Sequence, residues 1–214
     1  MTIEAILFDF GGVFTVSPFE AVRMAGEELG LDGDLAVTLC FGPYDEDTDH
    51  AWHRLERGEL ALAEARAELI ALAGAAGHDL DPFVLLSSMA AEDDQREAVI
   101  ERALRLRADG YRTAVVTNNI KEFGEGWRKM VPVDELFDVI IDSSVVGVRK
   151  PNPRIYHLTL ETLGGIAPEA AVLVDDALGN IAAAHSLGIH TVHVGTDRIA
   201  AMDELDALIS KLSG

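Results

Sequence analysis

Acidic, hydroxyl, amide and amino side chains stand shortly after four separate apolar segments of the sequence. They are Asp9, Thr117 with Asn118, Lys150, and the Asp175–Asp176 pair with Asn180. A carboxylate can attack a phosphorus atom and carry the phosphoryl group covalently, and carboxylates from separate segments can hold Mg²⁺, which prefers oxygen ligands. A lysine and a hydroxyl group can offset phosphoryl charge. These residue types therefore indicate phosphoryl-transfer chemistry, provided that the fold brings them together.

Five short apolar runs rich in Val and Ile alternate with helical patterns along the chain. The runs are Ile3–Phe8, Thr113–Val116, Val139–Ile141, Ala171–Val174 and His190–Val194. Continuous apolar runs are typical of a parallel sheet that is covered on both faces, and their alternation with helices predicts an α/β, doubly wound, Rossmann-like fold. Because such sheets bind ligands beyond the carboxyl ends of their strands, the polar segments are expected to converge in one cleft.

About a hundred residues separate the first two predicted strands, and they carry no strand signal. Most of them show helical patterns, including one apolar stripe made of Ala65, Leu69, Leu72, Ala73 and Ala76. A connection of this length is not expected to be structureless in a compact protein. We therefore predict a helical domain at residues 17–90, inserted into a core domain made of residues 1–16 and 91–214. Its two linkers, near residues 15–17 and 90–93, would allow it to open and close over the cleft.

The chain is strongly acidic, with a formal net charge of −20, and this argues against nucleic acid and anionic membranes as partners, since both require a basic surface. No apolar stretch is long enough to span a bilayer, and the N-terminal apolar run is predicted to be a strand rather than a signal peptide. The single cysteine, Cys40, permits no intrachain disulfide and is expected to pack in an apolar interior. A cytoplasmic location is therefore expected.

Four segments resemble, in order, the four sequence motifs of the haloacid dehalogenase superfamily. They are Phe8–Val13 (FDFGGV), Val116–Asn119 (VTNN), Lys150–Tyr156 (KPNPRIY) and Val174–Asn180 (VDDALGN). The predicted helical domain stands where the C1 cap class of that superfamily has its cap. The details resemble the branch that includes the phosphatase domain of soluble epoxide hydrolase and bacterial sugar-1-phosphate phosphatases. The resemblance implies a Mg²⁺-dependent hydrolase that acts on a small phosphomonoester, such as a sugar phosphate, through an aspartyl-phosphate intermediate.

The resemblance also implies a role for each residue that contacts the substrate. Asp9 would be the nucleophile and a metal ligand. Thr117 would bind the phosphoryl group, with Asn118 beside it and with help from the backbone at Gly12. Lys150 would offset the negative charge on Asp9 and on the transferred group.

The implied metal site combines side chains with one backbone oxygen. Mg²⁺ would be held by Asp9, by Asp176 and by the backbone carbonyl of Gly11, whose backbone would also contact the substrate. Asp175 would orient the neighbouring lysine. Asn180 would support the metal site, for example through a water molecule.

One position departs from the family pattern. Phosphatases of the family usually carry a second aspartate two residues after the nucleophile, which protonates the leaving group and then activates water, but this chain has Gly11 there. General acid–base assistance is worth about 10²–10⁴ in rate. The chain is therefore expected either to use substrates whose leaving group needs little protonation, such as anomeric sugar phosphates or acyl phosphates, or to borrow an acid from the helical domain. Candidates for that acid are His50, His53 and Glu56.

Two other functions stay open at this point. A dehalogenase would need no proton for its halide leaving group, but dehalogenases of the superfamily use no Mg²⁺ and lack an acidic pair equivalent to Asp175–Asp176. A catalytically weak or non-enzymatic ligand-binding protein is the other alternative. The sequence does not identify the physiological substrate, and it does not distinguish a monomer from a homodimer.

Other polar residues of the helical domain give weaker indications of a functional site. His50 and His53, with Asp49, have helical spacing, but no firm third ligand is at hand, so a zinc site is not expected. Trp52 and Arg54 are expected to face the active site or the seam between the two domains. The acidic run that ends at Asp49 is expected to be a solvated loop.

Overall fold

Five short strands form one sheet in which every strand is parallel to its neighbours. They are β1 (Ala5–Phe8), β2 (Arg112–Thr117), β3 (Val139–Asp142), β4 (Ala171–Asp175) and β5 (His190–His193), in the spatial order β3–β2–β1–β4–β5. The computed structural model describes residues 2–87, 93–124 and 126–213. All five predicted strands are confirmed, each within two residues of its predicted ends.

Helices cover both faces of the sheet, which confirms the α/β, doubly wound architecture. In chain order, the helices of the described residues are α1 (Pro18–Glu28), α2 (Gly33–Phe41), α3 (Ala51–Glu56), α4 (Leu62–Ala75), α5 (Pro82–Leu86), α6 (Arg96–Ala108), α7 (Val133–Leu136), α8 (Ser143–Val146), α9 (Pro153–Thr162), α10 (Leu178–Ser186) and α11 (Arg198–Ser213). Alternate residues of β1 point to opposite faces: Ile6 and Phe8 pack with α6 and α11, whereas Leu7 packs with α9 and α10. None of the helices in the described ranges has the length and apolar character needed to cross a membrane.

The strand register brings acidic residues to one edge of the sheet. Phe8 pairs with Val115 of β2 and with Val174 of β4, and both β1 and β4 are buried at every position, as expected of central strands. The next residues, Asp9 and Asp175, therefore stand side by side at the carboxyl edge. This edge is where sheets of this type bind ligands.

Helices α1–α5 form a helical insertion between β1 and α6, and this insertion has an apolar core of its own. The core includes Val22, Cys40, Trp52, Leu69 and Leu85. Cys40 is fully buried, which confirms its predicted packing. The absence of a strand signal in this part of the sequence thus corresponds to helical structure in the described residues.

The apolar stripe on α4 is narrower than predicted. Ala65, Leu69 and Ala73 are buried, but Leu72 and Ala76 are exposed. The three buried residues follow one another at a spacing of four, so α4 contacts the rest of the insertion along a single row of side chains.

Two arginines form ion pairs and hydrogen bonds that join the segments entering and leaving the insertion. Asp93 is buried and forms ion pairs with Arg198 and Arg96. Arg96 donates from Nε to the carbonyl of Phe14 at 2.9 Å, and Arg198 donates to the carbonyl of Val13 at 3.4 Å. The predicted boundary at residues 90–91 lies outside the described residues, so the division into domains 1–16 with 91–214 and 17–90 stays a prediction.

Candidate active site

A buried lysine joins the ends of two strands. The Nζ atom of Lys150 lies 2.8 Å from Asp9 Oδ1 and 2.7 Å from Asp175 Oδ2, and the Lys150 side chain is fully buried. Burial lowers the pKa of Lys150, but the charges of Asp175 and Asp9 outweigh this effect and raise it overall. Lys150 is therefore a fixed positive charge beside the predicted nucleophile. The structure thus brings together three residues from separate sequence motifs.

Three carboxylates crowd around this single cation. Asp9, Asp175 and Asp176 each offer an oxygen within 4.8 Å of the others. Burial raises the pKa of Asp9 to about 7, with Lys150 opposing and Asp175 reinforcing the rise. Burial, and then repulsion from Asp9 and Asp175, raises the pKa of Asp176 well above its usual range. The cluster therefore carries more negative charge than one lysine offsets, and a bound cation would relieve the difference.

The donor atoms fit Mg²⁺, because they are oxygens of buried carboxylates. Asp175 already accepts three hydrogen bonds: Oδ2 binds Lys150, and Oδ1 accepts from the backbone of Ala177 and from Asn180 Nδ2, both at 2.9 Å. Asp176 is left as the better ligand beside Asp9. The Oδ1 atom of Asn180 is buried and has no hydrogen-bond partner among the described residues, which suits the support role expected for this residue.

Two neighbours fix the position of Asp176. Ser17, just before α1, donates from Oγ to Asp176 Oδ2 at 2.6 Å. Gly12 has φ 73°, and a Cβ atom there would stand 2.2 Å from the Asp176 carboxyl group. Only glycine fits this position, for both its backbone conformation and its space. The sequence motif anticipated Gly12, but Ser17 carries no distinctive signal.

Thr117 is the last residue of β2, and Asn118 follows it and lines the cavity that holds Asp9. Thr117 is buried at the strand end. Asn118 donates from Nδ2 to the carbonyl of Lys150 at 3.0 Å and to Tyr44 Oη at 3.1 Å, and its Oδ1 accepts from the backbone N–H of Lys150 at 2.8 Å. Since both side-chain N–H groups of Asn118 are engaged, a contact from this residue to a phosphoryl oxygen would come from its backbone. The side chain instead holds the segment that carries Lys150.

A buried polar cluster closes the site from the side of the insertion. Glu56 accepts from Tyr44 Oη and Trp52 Nε1, both at 2.8 Å, and from Arg149 Nε at 2.7 Å. Arg149 is fully buried, and its guanidinium carbon lies 4.5 Å from the centre of the Tyr44 ring. We define Tyr44, Trp52, Glu56 and Arg149 as the closing cluster. Sequence reasoning gave Arg149 no role, because nothing in its local pattern distinguishes it from a surface charge.

The candidate acids of the insertion differ in their placement. Glu56 lines the cavity that holds Asp9, but its carboxylate is occupied by the closing cluster. His50 and His53 lie outside that lining, and burial, followed by the charge of Arg149, lowers the pKa of both, to about 3 for His53. Neither histidine is therefore suited to donate a proton at neutral pH.

Other predictions for the insertion have mixed outcomes. Trp52 lines the cavity as expected, but the expectation for Arg54 is wrong: it pairs with Glu68 on the surface of the insertion. The acidic run is only partly solvated, since Asp47 pairs with Arg57 and lies 3.8 Å from Arg149. The aspartates at the sheet edge are the group suited to a metal ion within the described parts of the chain.

The cavity over Asp9 is small, about 80 Å³. Core residues Asp9, Gly11 and Asp176 form its floor, and aromatic residues of the insertion contribute to its walls. A Cβ atom at Gly11 would stand 3.1 Å and 3.3 Å from two ring carbons of Pro18. An acid side chain at position 11 would therefore contact Pro18 closely, and the proline ring would have to shift by a few tenths of an ångström.

Similar solved structures share this fold. A HAD family enzyme from Bacteroides thetaiotaomicron, crystallised with magnesium and inorganic phosphate, superposes with a TM-score of 0.61 and 21% identity, covering 91% of this chain and 96% of that chain. Dehalogenases are also among the structural neighbours. At these identities the likeness shows the fold alone.

Curated relatives include phosphatases. Sesquiterpene phosphatase astK of Aspergillus oryzae is 27% identical and covers 97% of this chain and 97% of its own length. Acyl-CoA dehydrogenase family member 10 of Mus musculus is 32% identical over 96% of this chain, but the chain spans only 19% of that longer protein. A family model described as haloacid dehalogenase-like hydrolase matches residues 3–188. A match of that extent shows the family, and the chain belongs to the haloacid dehalogenase-like hydrolases.

Proposed function

We propose that this hydrolase is a Mg²⁺-dependent phosphatase that acts on a small phosphomonoester through an aspartyl-phosphate at Asp9. One observation carries the proposal: the buried ammonium group of Lys150 lies between Asp9 and Asp175, with Asp176 beside them. Such a centre supplies a nucleophile, a fixed positive charge and oxygen ligands for a cation within a few ångströms. Phosphoryl transfer requires mainly this positioning and charge compensation.

In the proposed first step, an Asp9 oxygen attacks phosphorus while the bond from phosphorus to the ester oxygen breaks. Lys150 and the backbone N–H of Phe10, at 2.6 Å, both hold Oδ1, so Oδ2 is the attacking oxygen. The leaving group takes its proton from water, because Gly11 offers no acid. In the second step, water attacks phosphorus, the bond to Oδ2 breaks, and phosphate is released with the Asp9 carboxylate restored.

Other residues are proposed to hold the phosphoryl oxygens through both steps. Lys150 offsets their charge, and the Thr117 hydroxyl with the backbone of Asn118 and Gly12 donates hydrogen bonds. When Mg²⁺ is bound by Asp9, Asp176 and the Gly11 carbonyl, it supplies further charge compensation. A small phosphorylated molecule is thus the expected partner, and the single cysteine keeps the cytoplasm as the expected compartment.

A dehalogenase is the second candidate, supported by the absence of an acid at position 11. The paired acids at positions 175 and 176 count against it. A metal-free site would leave Asp176 as a buried carboxylate with a raised pKa and no evident use. A weak or non-enzymatic binding protein would show no turnover dependent on Asp9.

Phosphate release from an aryl phosphate, with and without Mg²⁺, tests the proposal directly. The Asp9→Asn variant keeps the shape of the side chain but loses the nucleophile, so release is expected to fall to background. Asp142→Asn is the matched control, because Asp142 is also buried at a strand end but lies outside the cavity lining. Equal release by wild type and Asp9→Asn, or metal-free activity on a 2-haloacid, would contradict the phosphatase assignment.

A further inference from the structure

A second cavity, of about 330 Å³, adjoins the small cavity over Asp9. Its walls are mainly apolar and include Phe10, Val16, Phe123, Trp127 and Met130. Among the described residues its lining carries no ionisable side chain. The volume is within the range of small-molecule sites, which are typically apolar with a few polar groups.

The two cavities meet at the nucleophile loop. Gly11, Pro18, Asn118 and Phe123 line both of them, and Thr117 lines the larger one. A side chain at position 11 would press on Pro18, which borders both cavities. Glycine at this position therefore adds no side chain to the border that the two cavities share. A substrate can place its phosphoryl group over Asp9 and its leaving group in the larger cavity.

The insertion is fastened to the core on another side of the site. Ser143 Oγ donates to the backbone carbonyl of Glu56 at 2.7 Å, Asn118 donates to Tyr44, and Arg149 pairs with Glu56. The mouth of the larger cavity is less constrained, since the side chains of two of its wall residues are substantially exposed, Phe123 at 45% and Met130 at 41%. The larger cavity therefore opens to solvent near Phe123 and Met130.

Two independent features restrict the leaving group. The larger cavity is mainly apolar and has three aromatic residues in its lining, Phe10, Phe123 and Trp127, which favours an apolar, flat group. The net charge of −20 disfavours a second anionic group on the substrate. The absence of an acid at Gly11 requires a leaving group that departs without protonation. An aromatic alcohol satisfies both conditions, because a phenolate is apolar in its ring and far more stable than an alkoxide.

We propose that the larger cavity binds the leaving group and that the substrate class is phosphomonoesters of aromatic alcohols. This inference rests on the proposed phosphatase function. Asp9 attacks phosphorus, the bond from phosphorus to the phenolic oxygen breaks, and the phenolate departs into the cavity and takes a proton from water. Sugar phosphates, which present several hydroxyl groups to an apolar wall, are poor substrates on this basis.

Two matched pairs of substrates test the class. Phenyl phosphate should exceed cyclohexyl phosphate in kcat/KM by about 10²-fold or more, because no side chain protonates the alkoxide. 4-Propylphenyl phosphate and 4-(2-carboxyethyl)phenyl phosphate have similar leaving groups but an apolar or a charged tail. Burial of three carbons corresponds to roughly 60-fold at most, and with a partly open mouth we expect the propyl compound to be favoured about tenfold.

Two lysine substitutions test whether the preference for the propyl compound arises in the larger cavity. Met130→Lys places a cation at the mouth of the larger cavity and should remove or reverse the preference for the propyl compound. Met24→Lys is the control, because Met24 is an exposed methionine of α1 that lies outside both cavities. Asp9-dependent turnover with equal rates for either pair, or an equal response to both lysine variants, would overturn the inference while leaving the phosphatase function intact. Release that does not depend on Asp9 would instead refute the phosphatase function.

Discussion

Replacement of Glu56 by glutamine should cost a large part of the stability of this protein. The Glu56 side chain is buried and accepts from Tyr44, Trp52 and Arg149 at 2.7–2.8 Å. The change removes the charge that balances the fully buried Arg149, whose other contacts include the carbonyl of Glu46 at 3.0 Å, Asp47 at 3.8 Å and the Tyr44 ring. Removing one partner of a buried ion pair costs about 3–5 kcal/mol. We expect about 3 kcal/mol, because two neutral donors can still bind the glutamine oxygen.

Urea unfolding followed by circular dichroism measures this cost as a lower midpoint with an unchanged slope. Arg149→Met should lower the free energy of unfolding by a similar amount. The double variant should lose clearly less than the sum of the two single losses, because both charges are then removed and none is left unpaired. Glu68→Gln is the control: its pair with Arg54 is exposed and should be worth under about 1 kcal/mol. A loss below about 1 kcal/mol for Glu56→Gln, or additive losses in the double variant, would refute the reasoning.

Three further predictions concern single positions, namely His53, Gly12 and Gly11. Burial lowers the pKa of His53 from 6.5 to about 3, so below pH 6.5 the unfolded chain binds a proton that the folded protein does not. His53 should therefore lower the free energy of unfolding by about 2 kcal/mol at pH 5. His53→Gln should remove most of this loss, as measured by urea titrations at pH 7 and pH 5. Gly12→Ala should destabilise the protein by about 1–3 kcal/mol through its backbone conformation and should weaken Mg²⁺ binding in calorimetry, since the new methyl group displaces Asp176. Gly11→Asp alone should not accelerate hydrolysis of alkyl phosphates. Gly11→Asp combined with Pro18→Ala should increase kcat for these substrates, up to the roughly 10²-fold that an acid supplies. An equal gain without the Pro18 change would contradict the steric argument.

The sheet and the residues on its edge could be predicted because local pattern determines both. Short Val- and Ile-rich runs form parallel strands, and Asp9 and Asp175 stand at the carboxyl ends of two of them, so these two residues meet once the strands pair. Lys150 lies eight residues beyond the end of β3, and its approach to both aspartates depends on the segment in between. The choice of Asp176 as metal ligand gained support only from the three hydrogen bonds that Asp175 already accepts.

The contacts made by the insertion could not be predicted from sequence. Ser17, Tyr44 and Arg149 have no spacing relation to the residues they bind, and their pairing depends on how the insertion packs against the sheet. Glu56 was considered as an acid, but its partner Arg149 is 93 positions away in the chain. The close approach of Pro18 to Gly11 likewise depends on tertiary packing, so the sequence revealed the missing acid but not the residue beside its position.

The pairing of Arg149 with Glu56 also bears on how such enzymes can be recombined. Arg149 directly precedes Lys150 in the core, whereas its partner belongs to the insertion. A chimaera that carries a foreign insertion without an equivalent acid would leave a guanidinium group buried and uncompensated next to Lys150. Exchange of insertions between relatives should therefore succeed only when residue 149 is exchanged with them, and the two segments are expected to be inherited as one unit.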